Sequence, residues 1–122
     1  MNLINKKKII IATGGTGGHI FPAYSLAKNF IKNNFSVEVI TDKRGLKYLN
    51  KNKKIKLILN NSATIYKKNI INLFISLFVI FFSYIKSLII LYKKKPFVVF
   101  GMGGHASFPV CAAAKTLNIP FI

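Results

Sequence analysis

Apolar residues in this 122-residue chain recur in two rhythms. Short runs of β-branched residues alternate with longer stretches whose apolar positions return every three or four residues. The run "KKIIIAT", closed by glycine, predicts a buried strand. "AYSLAKNFIKNN" then sets Ala23, Leu26, Ala27, Phe30 and Ile31 on one helical face, with Pro22 suited to the first turn. "FSVEVIT" alternates and predicts a second strand, "KIKLIL" a third, and "PFVVFG" a fourth that again runs into glycines. "SFPVCAAAKTLN" predicts a helix of small residues, and "IPFI" opens a fifth strand. Strands alternating with helices predict an α/β fold, a Rossmann-like parallel sheet. A doubly wound sheet usually continues past a fifth strand. The expectation is therefore a fragment, or half of a larger machine.

The stretch from Ile70 to Tyr92 departs from this rhythm. It carries one charge, Lys86, in 23 residues. As a helix it would be about 35 Å long, against about 30 Å of bilayer hydrocarbon. Length alone permits a span. Its position between two strands of one sheet instead calls for a crossover helix. At about 100° per residue, Asn72, Ser76, Ser83, Lys86 and Ser87 share one face, with Phe74, Phe78, Phe81 and Phe82 roughly opposite. Lys67 and Lys68 precede the segment, and Lys93, Lys94 and Lys95 follow it. Apolar surface flanked by lysines suits docking on an anionic leaflet. The expectation is a crossover helix that also touches the membrane.

Charge sharpens that expectation. There are 19 basic residues against two acidic ones, Glu38 and Asp42, for a net charge of +17. Such a balance favours an anionic partner: nucleic acid, an acidic membrane surface, or a phosphorylated substrate. The absence of an aromatic RNA-binding strand motif argues against nucleic acid. A single cysteine, Cys111, excludes an internal disulfide. The apolar run Ile9 to Ala12 is too short for a secretion signal.

Candidate chemistry concentrates where strands end in glycine. In "ATGGTGGHIFP", Gly14, Gly15, Gly17 and Gly18 crowd into five positions before His19. Strand, glycine loop and helix together aim backbone N–H groups and a helix N-terminus at an anion. The spacing fits neither the dinucleotide fingerprint, which needs glycine at Ile20, nor the P-loop, which needs Gly-Lys-Ser/Thr. His19 stands where the loop becomes helix, at a strand's carboxyl end, where open α/β sheets bind ligands. It is a candidate base or simply a residue filling the loop. The second loop, "GMGGHAS", offers Gly103, Gly104 and Ser107 to another anionic group, or makes a tight turn with Ser107 as an N-cap.

On these residues the chain resembles the MurG family of peptidoglycan N-acetylglucosaminyltransferases. "GGTGGHIFPAYSLA" is similar to that family's N-terminal signature, and "GMGGHASFPVCAAAKTLNIPFI" to its second glycine loop and following strand. The resemblance implies the N-terminal domain of a GT-B glycosyltransferase over residues 1–122, truncated, with the C-terminal domain absent. It implies inverting, metal- and cofactor-independent transfer of GlcNAc from UDP-GlcNAc to the C4 hydroxyl of the muramyl sugar of lipid I, giving lipid II. It places Thr16, Gly17 and Gly18 against the donor and matches His19 to the general base. It also implies peripheral docking on the cytoplasmic face of the bacterial inner membrane. One departure is His105, where the family usually carries tyrosine. Two other readings stay open. One is the non-catalytic, membrane-anchoring half of a split UDP-GlcNAc transferase that recruits a separate donor-binding half. The other is a basic module for anionic lipid or RNA.

Overall fold

The computed structural model describes residues 6–49, 54–60 and 69–122. Lys67 and Lys68 lie outside the described residues. Eight elements follow in order: β1 (Lys8–Ala12), α1 (Gly17–Lys32), β2 (Ser36–Thr41), α2 (Lys43–Leu49), β3 (Lys56–Leu59), α3 (Ile70–Lys94), β4 (Val98–Gly101) and α4 (Ser107–Thr116). The strands pair in parallel in the order β3-β2-β1-β4. The predicted parallel α/β sheet is therefore the fold found.

β-branched residues on both faces let the central strands be buried on both sides. Ile9, Ile11, Val37 and Val39 meet Ile20, Ala23 and Ala27 of α1 and Leu49 of α2. Ile10, Ala12, Ile40 and Val99 meet Leu91 of α3 and Val110, Ala113 and Ala114 of α4. One helix pair thus covers each face.

Two expectations need correction, and one element lies outside them. α1 begins at Gly17, so Pro22 is the sixth helical residue rather than part of the first turn. Proline cannot return a hydrogen bond to the Gly18 carbonyl, but Gly18 is exposed and water can take that carbonyl. "IPFI" makes an isolated parallel bridge, Val99 to Phe121, rather than a full strand. Its bonds to β4 still run as a ladder: Val99 N–H to Pro120 at 2.9 Å, Ile122 N–H to Val99 at 2.9 Å, and Gly101 N–H to Ile122 at 2.8 Å. Lastly, α2 was not anticipated from the pattern. Asp42 starts it by accepting the Gly45 N–H at 3.0 Å, which satisfies an otherwise orphan donor.

α3 is the predicted crossover helix, and it turns its small polar residues inward. Ser76, Ser83 and Ser87 are buried, while Phe74, Phe78, Phe81 and Phe82 are exposed. Asn72 and Lys86 do not join the buried face. Lys86 lies toward its edge, and its ammonium donates to the last β3 carbonyl, Leu59, at 2.6 Å. Buried Asn60 donates to the Ser87 hydroxyl at 2.8 Å and to the Ser83 carbonyl at 3.2 Å, and accepts from the Ser83 hydroxyl at 3.0 Å. At the other end, Lys94 donates to Glu38 Oε1 at 3.1 Å. It also lies 3.0 Å from Oε2, close enough to pair charge but poorly aligned for a hydrogen bond. Lys8 adds a contact at 3.9 Å.

These two attachments fix the height of the helix. Asn60 follows the carboxyl end of β3, so Ser83 and Ser87 stand level with the sheet's carboxyl edge. Residues 70–82 extend about 20 Å beyond that edge. We expect Asn60→Ala to cost about 1–3 kcal/mol by leaving the buried Ser83 hydroxyl without its acceptor, while Ser87 keeps its bond to the Ser83 carbonyl. Chemical denaturation reads this directly, and an unchanged midpoint would show that the network does not hold α3.

Candidate functional site

The strand order creates a switch point. From β1 the chain passes to β2 and β3 on one side, then crosses through α3 to β4 on the other. Open α/β sheets bind ligands at such a point, outside the carboxyl ends of the strands. Here the loop after β1, residues 13–16, meets the loop after β4, residues 102–106. Met102 N–H donates to Ala12 at 2.8 Å, and Gly14 N–H donates to Gly103 at 3.1 Å. The two glycine loops are therefore a single seam.

Most of the glycines are explained by that seam. A Cβ on Gly14 would stand 3.1 Å from the Gly104 Cα, and one on Gly104 would stand 2.9 Å from the Gly14 Cα. Gly103 and Gly104 also hold φ of +96° and +83°, where other residues are strained. A Cβ on Gly103 would press the His19 ring at 2.9 Å, and one on Gly15 would strike the Asp42 carboxylate. Close packing within the protein thus accounts for four of the six candidate glycines. Gly18 differs: a Cβ there would meet nothing within 4 Å. It heads α1 with Gly17, where helix N–H groups have no intrahelical acceptor.

His19 bridges the seam. Its Nδ1 lies 3.0 Å from the Met102 carbonyl oxygen. A carbonyl only accepts, so Nδ1 carries the proton. In the neutral ring, Nε2 then keeps its lone pair. The ring is part-buried, so it is not sealed from solvent. Thr16 is the N-cap of α1, and its side chain makes no capping bond. It is exposed beside the paired loops.

Ser107 is the first residue of α4 rather than its cap, and its hydroxyl donates to the Gly104 carbonyl at 3.0 Å. That bond braces the second loop. His105 is exposed. Burial pushes the Cys111 thiol above its ordinary value, which keeps it protonated and unsuited to act as a nucleophile.

One cation escaped the sequence reading. Arg44 sits beside the first loop, its Cβ 2.5 Å from where a Gly15 Cβ would be, and its guanidinium is 3.1 Å from Asp42. The signal was the Asp42 cap, which starts a helix directly after β2 and carries Arg44 to the carboxyl edge. Asp42 and Glu38 are the only acidic residues in the sequence, and both are buried. Exposed side-chain charge is therefore uniformly positive.

The phenylalanines form a separate surface. Phe74, Phe78 and Phe81 line an apolar hollow with Leu77, of about 450 Å³. α3 is long and apolar enough to cross a bilayer. However, its second half packs on α4 and joins two strands of one sheet. A helix held that way cannot span.

Comparison with known proteins agrees with this architecture. The glycosyltransferase family 28 N-terminal domain matches residues 9–122. The UDP-N-acetylglucosamine--N-acetylmuramyl-(pentapeptide) pyrophosphoryl-undecaprenol N-acetylglucosamine transferase of Rickettsia prowazekii is 40% identical over 95% of this chain, which covers 29% of that protein. The enzyme of the same name from Pelagibacter ubique is 35% identical over 95% of this chain, covering 32% of its own length. Among solved structures, Acinetobacter baumannii MurG superposes with a TM-score of 0.79 at 26% identity, over 94% of this chain and 34% of that one. The chain thus spans about a third of these relatives, and its sheet is the N-terminal domain fold of a GT-B glycosyltransferase. With the family's domain matched from β1 to the final residue, the chain belongs to glycosyltransferase family 28, as its N-terminal domain.

Proposed function

We propose that this chain is the acceptor-binding domain of an inverting transferase that moves GlcNAc from UDP-GlcNAc to the muramyl C4 hydroxyl of lipid I. The observation that carries the reading is the bond from His19 Nδ1 to Met102. It joins the two loops and leaves Nε2 as the basic atom at their seam. Nε2 takes the proton of the C4 hydroxyl while its oxygen attacks the anomeric carbon of GlcNAc. The bond from that carbon to UDP breaks, and the diphosphate leaves with its electron pair. The leading amides of α1 at Gly17 and Gly18 face the diphosphate, with Thr16 beside them. The donor's remaining contacts come from a C-terminal domain, attached or separate. Donor and acceptor classes are carried over from the names of the relatives, which favours this reading over a non-catalytic anchor.

The same geometry supports peripheral docking on the cytoplasmic face of the inner membrane. The phenylalanine-bearing half of α3 projects past the carboxyl edge of the sheet, which is also the edge of the glycine loops. Apolar surface on a wholly cationic exterior suits an anionic leaflet. A lipid-linked acceptor would then arrive beside the seam.

The test uses a chimera joining this chain, at residue 122, to the remainder of the Rickettsia prowazekii relative. It should transfer GlcNAc to lipid I, and no transfer would overturn the reading. In that chimera we expect Gly18→Ala to lower kcat/KM about tenfold with no loss of thermal stability. Alanine is better than glycine within a helix by up to about 1 kcal/mol, and the added methyl meets no protein atom. Within this domain, only a ligand is left to meet it. Unchanged kcat/KM would remove Gly18 from the site.

A further inference from the structure

A second concavity lies one helical turn from His19. It is lined by Ile20, Phe21 and Tyr24 of α1 and by Lys47 and Tyr48 of α2, with a volume of about 560 Å³. That is within the range of small-molecule sites, and its mix of aromatic walls with one charge is typical of them. Phe21 is 63% exposed and Tyr48 52%, yet their rings meet edge to face at 6.2 Å. Two aromatic rings held together in solvent form a preformed wall that the fold does not use. Lys47 is exposed beside them, and every carboxylate of the chain is buried elsewhere. The pocket therefore offers an apolar body and an unclaimed cation, and it suits a chain carrying a carboxylate.

We infer that this pocket is the subsite for the peptide arm of the acceptor, with Lys47 pairing a peptide carboxylate and the Phe21–Tyr48 wall packing its alkyl groups. This rests on the transferase reading above. The relatives' names specify an N-acetylmuramyl-(pentapeptide) pyrophosphoryl lipid as acceptor. A muramyl ring carries its peptide on the lactyl ether at O3, next to the reacting C4 hydroxyl, and its pyrophosphate at C1 across the ring. With C4 at His19, the O3 substituent starts one bond further along the ring, and the pocket lined by Ile20 and Phe21 opens beside it. The lipid leaves toward α3, on the other face of the sheet from α1 and α2. The pocket is on the side the lipid does not use.

The experiment compares two acceptors in the chimera: one with the pentapeptide, one whose lactyl group ends in a simple amide. Lys47→Gln should raise KM for the pentapeptide acceptor five- to tenfold. KM for the amide acceptor, KM for the donor, and kcat should stay within twofold. Phe21→Ala should behave the same way. Both residues are exposed, so folding is not at stake. A change shared equally by the two acceptors, or no change in either, overturns the subsite. A binding measurement separates this from failure of the transferase reading. Soluble muramyl pentapeptide should shift the NMR signals of Tyr48 and Lys47, and Lys47→Gln should abolish the Tyr48 shift. If those signals do not move, the inference fails whether or not the chimera transfers GlcNAc.

Discussion

Replacing His19 with asparagine in the chimera is expected to lower kcat by about 10²- to 10⁴-fold, the usual contribution of a positioned base. Asparagine is the informative change because it separates two roles of the ring. Its amide N–H₂ can reach where Nδ1 stands and donate to the Met102 carbonyl, so the seam between the loops survives. It has no basic nitrogen where Nε2 stands. Thermal stability and donor KM should therefore hold while turnover collapses. His19→Ala should lower turnover similarly and also cost stability, since it leaves the Met102 carbonyl without its donor. Donor KM rising in step with the loss of kcat would instead make His19 a structural residue of the loop.

The second large effect concerns the membrane. Phe78, Phe81 and Phe82 are 62%, 57% and 66% exposed on the projecting half of α3. Burying a phenylalanine side chain yields about 1.5–3 kcal/mol. Replacing all three with serine should lower partitioning onto phosphatidylglycerol vesicles by at least about 100-fold. The fold should tolerate the change, because these rings are outside both buried clusters. Exposed lysines add about 1 kcal/mol each near an anionic surface, so salt or neutral lipid should weaken binding of the unaltered protein. Vesicle flotation reads all three effects. Equal flotation of the triple variant would assign attachment to charge alone.

The strands could be read from the sequence because their β-branched runs need only burial on two faces to become strands. Seeing α2 was harder. It has seven residues with Gly45 at its centre, and it is held by the Asp42 cap and by Leu49 in the core rather than by its own propensity. α3 was legible in length and in its two faces. Which face turns inward depended on Asn60, a single polar residue at a strand end that no periodicity marks. The glycine loops could be placed, but not fully explained. Their sequence offered the glycines to an anionic group, with a tight turn as the alternative for the second loop. In the structure Gly14, Gly15, Gly103 and Gly104 make room for each other, for Asp42 and for His19, which leaves the approach to Gly18. Long-range packing of this kind leaves no trace in local spacing.

In the proposed reaction the joined loops hold the donor's pyrophosphate beside a basic Nε2. The most direct measurement is a crystal structure of the chimera with both UDP and lipid I or a short-chain analogue. It should place the muramyl C4 hydroxyl within about 3.2 Å of His19 Nε2, the reach of proton transfer, with the UDP diphosphate against the Gly17 and Gly18 amides. An acceptor bound with that hydroxyl turned from His19, or a UDP diphosphate seated away from the seam, would contradict it.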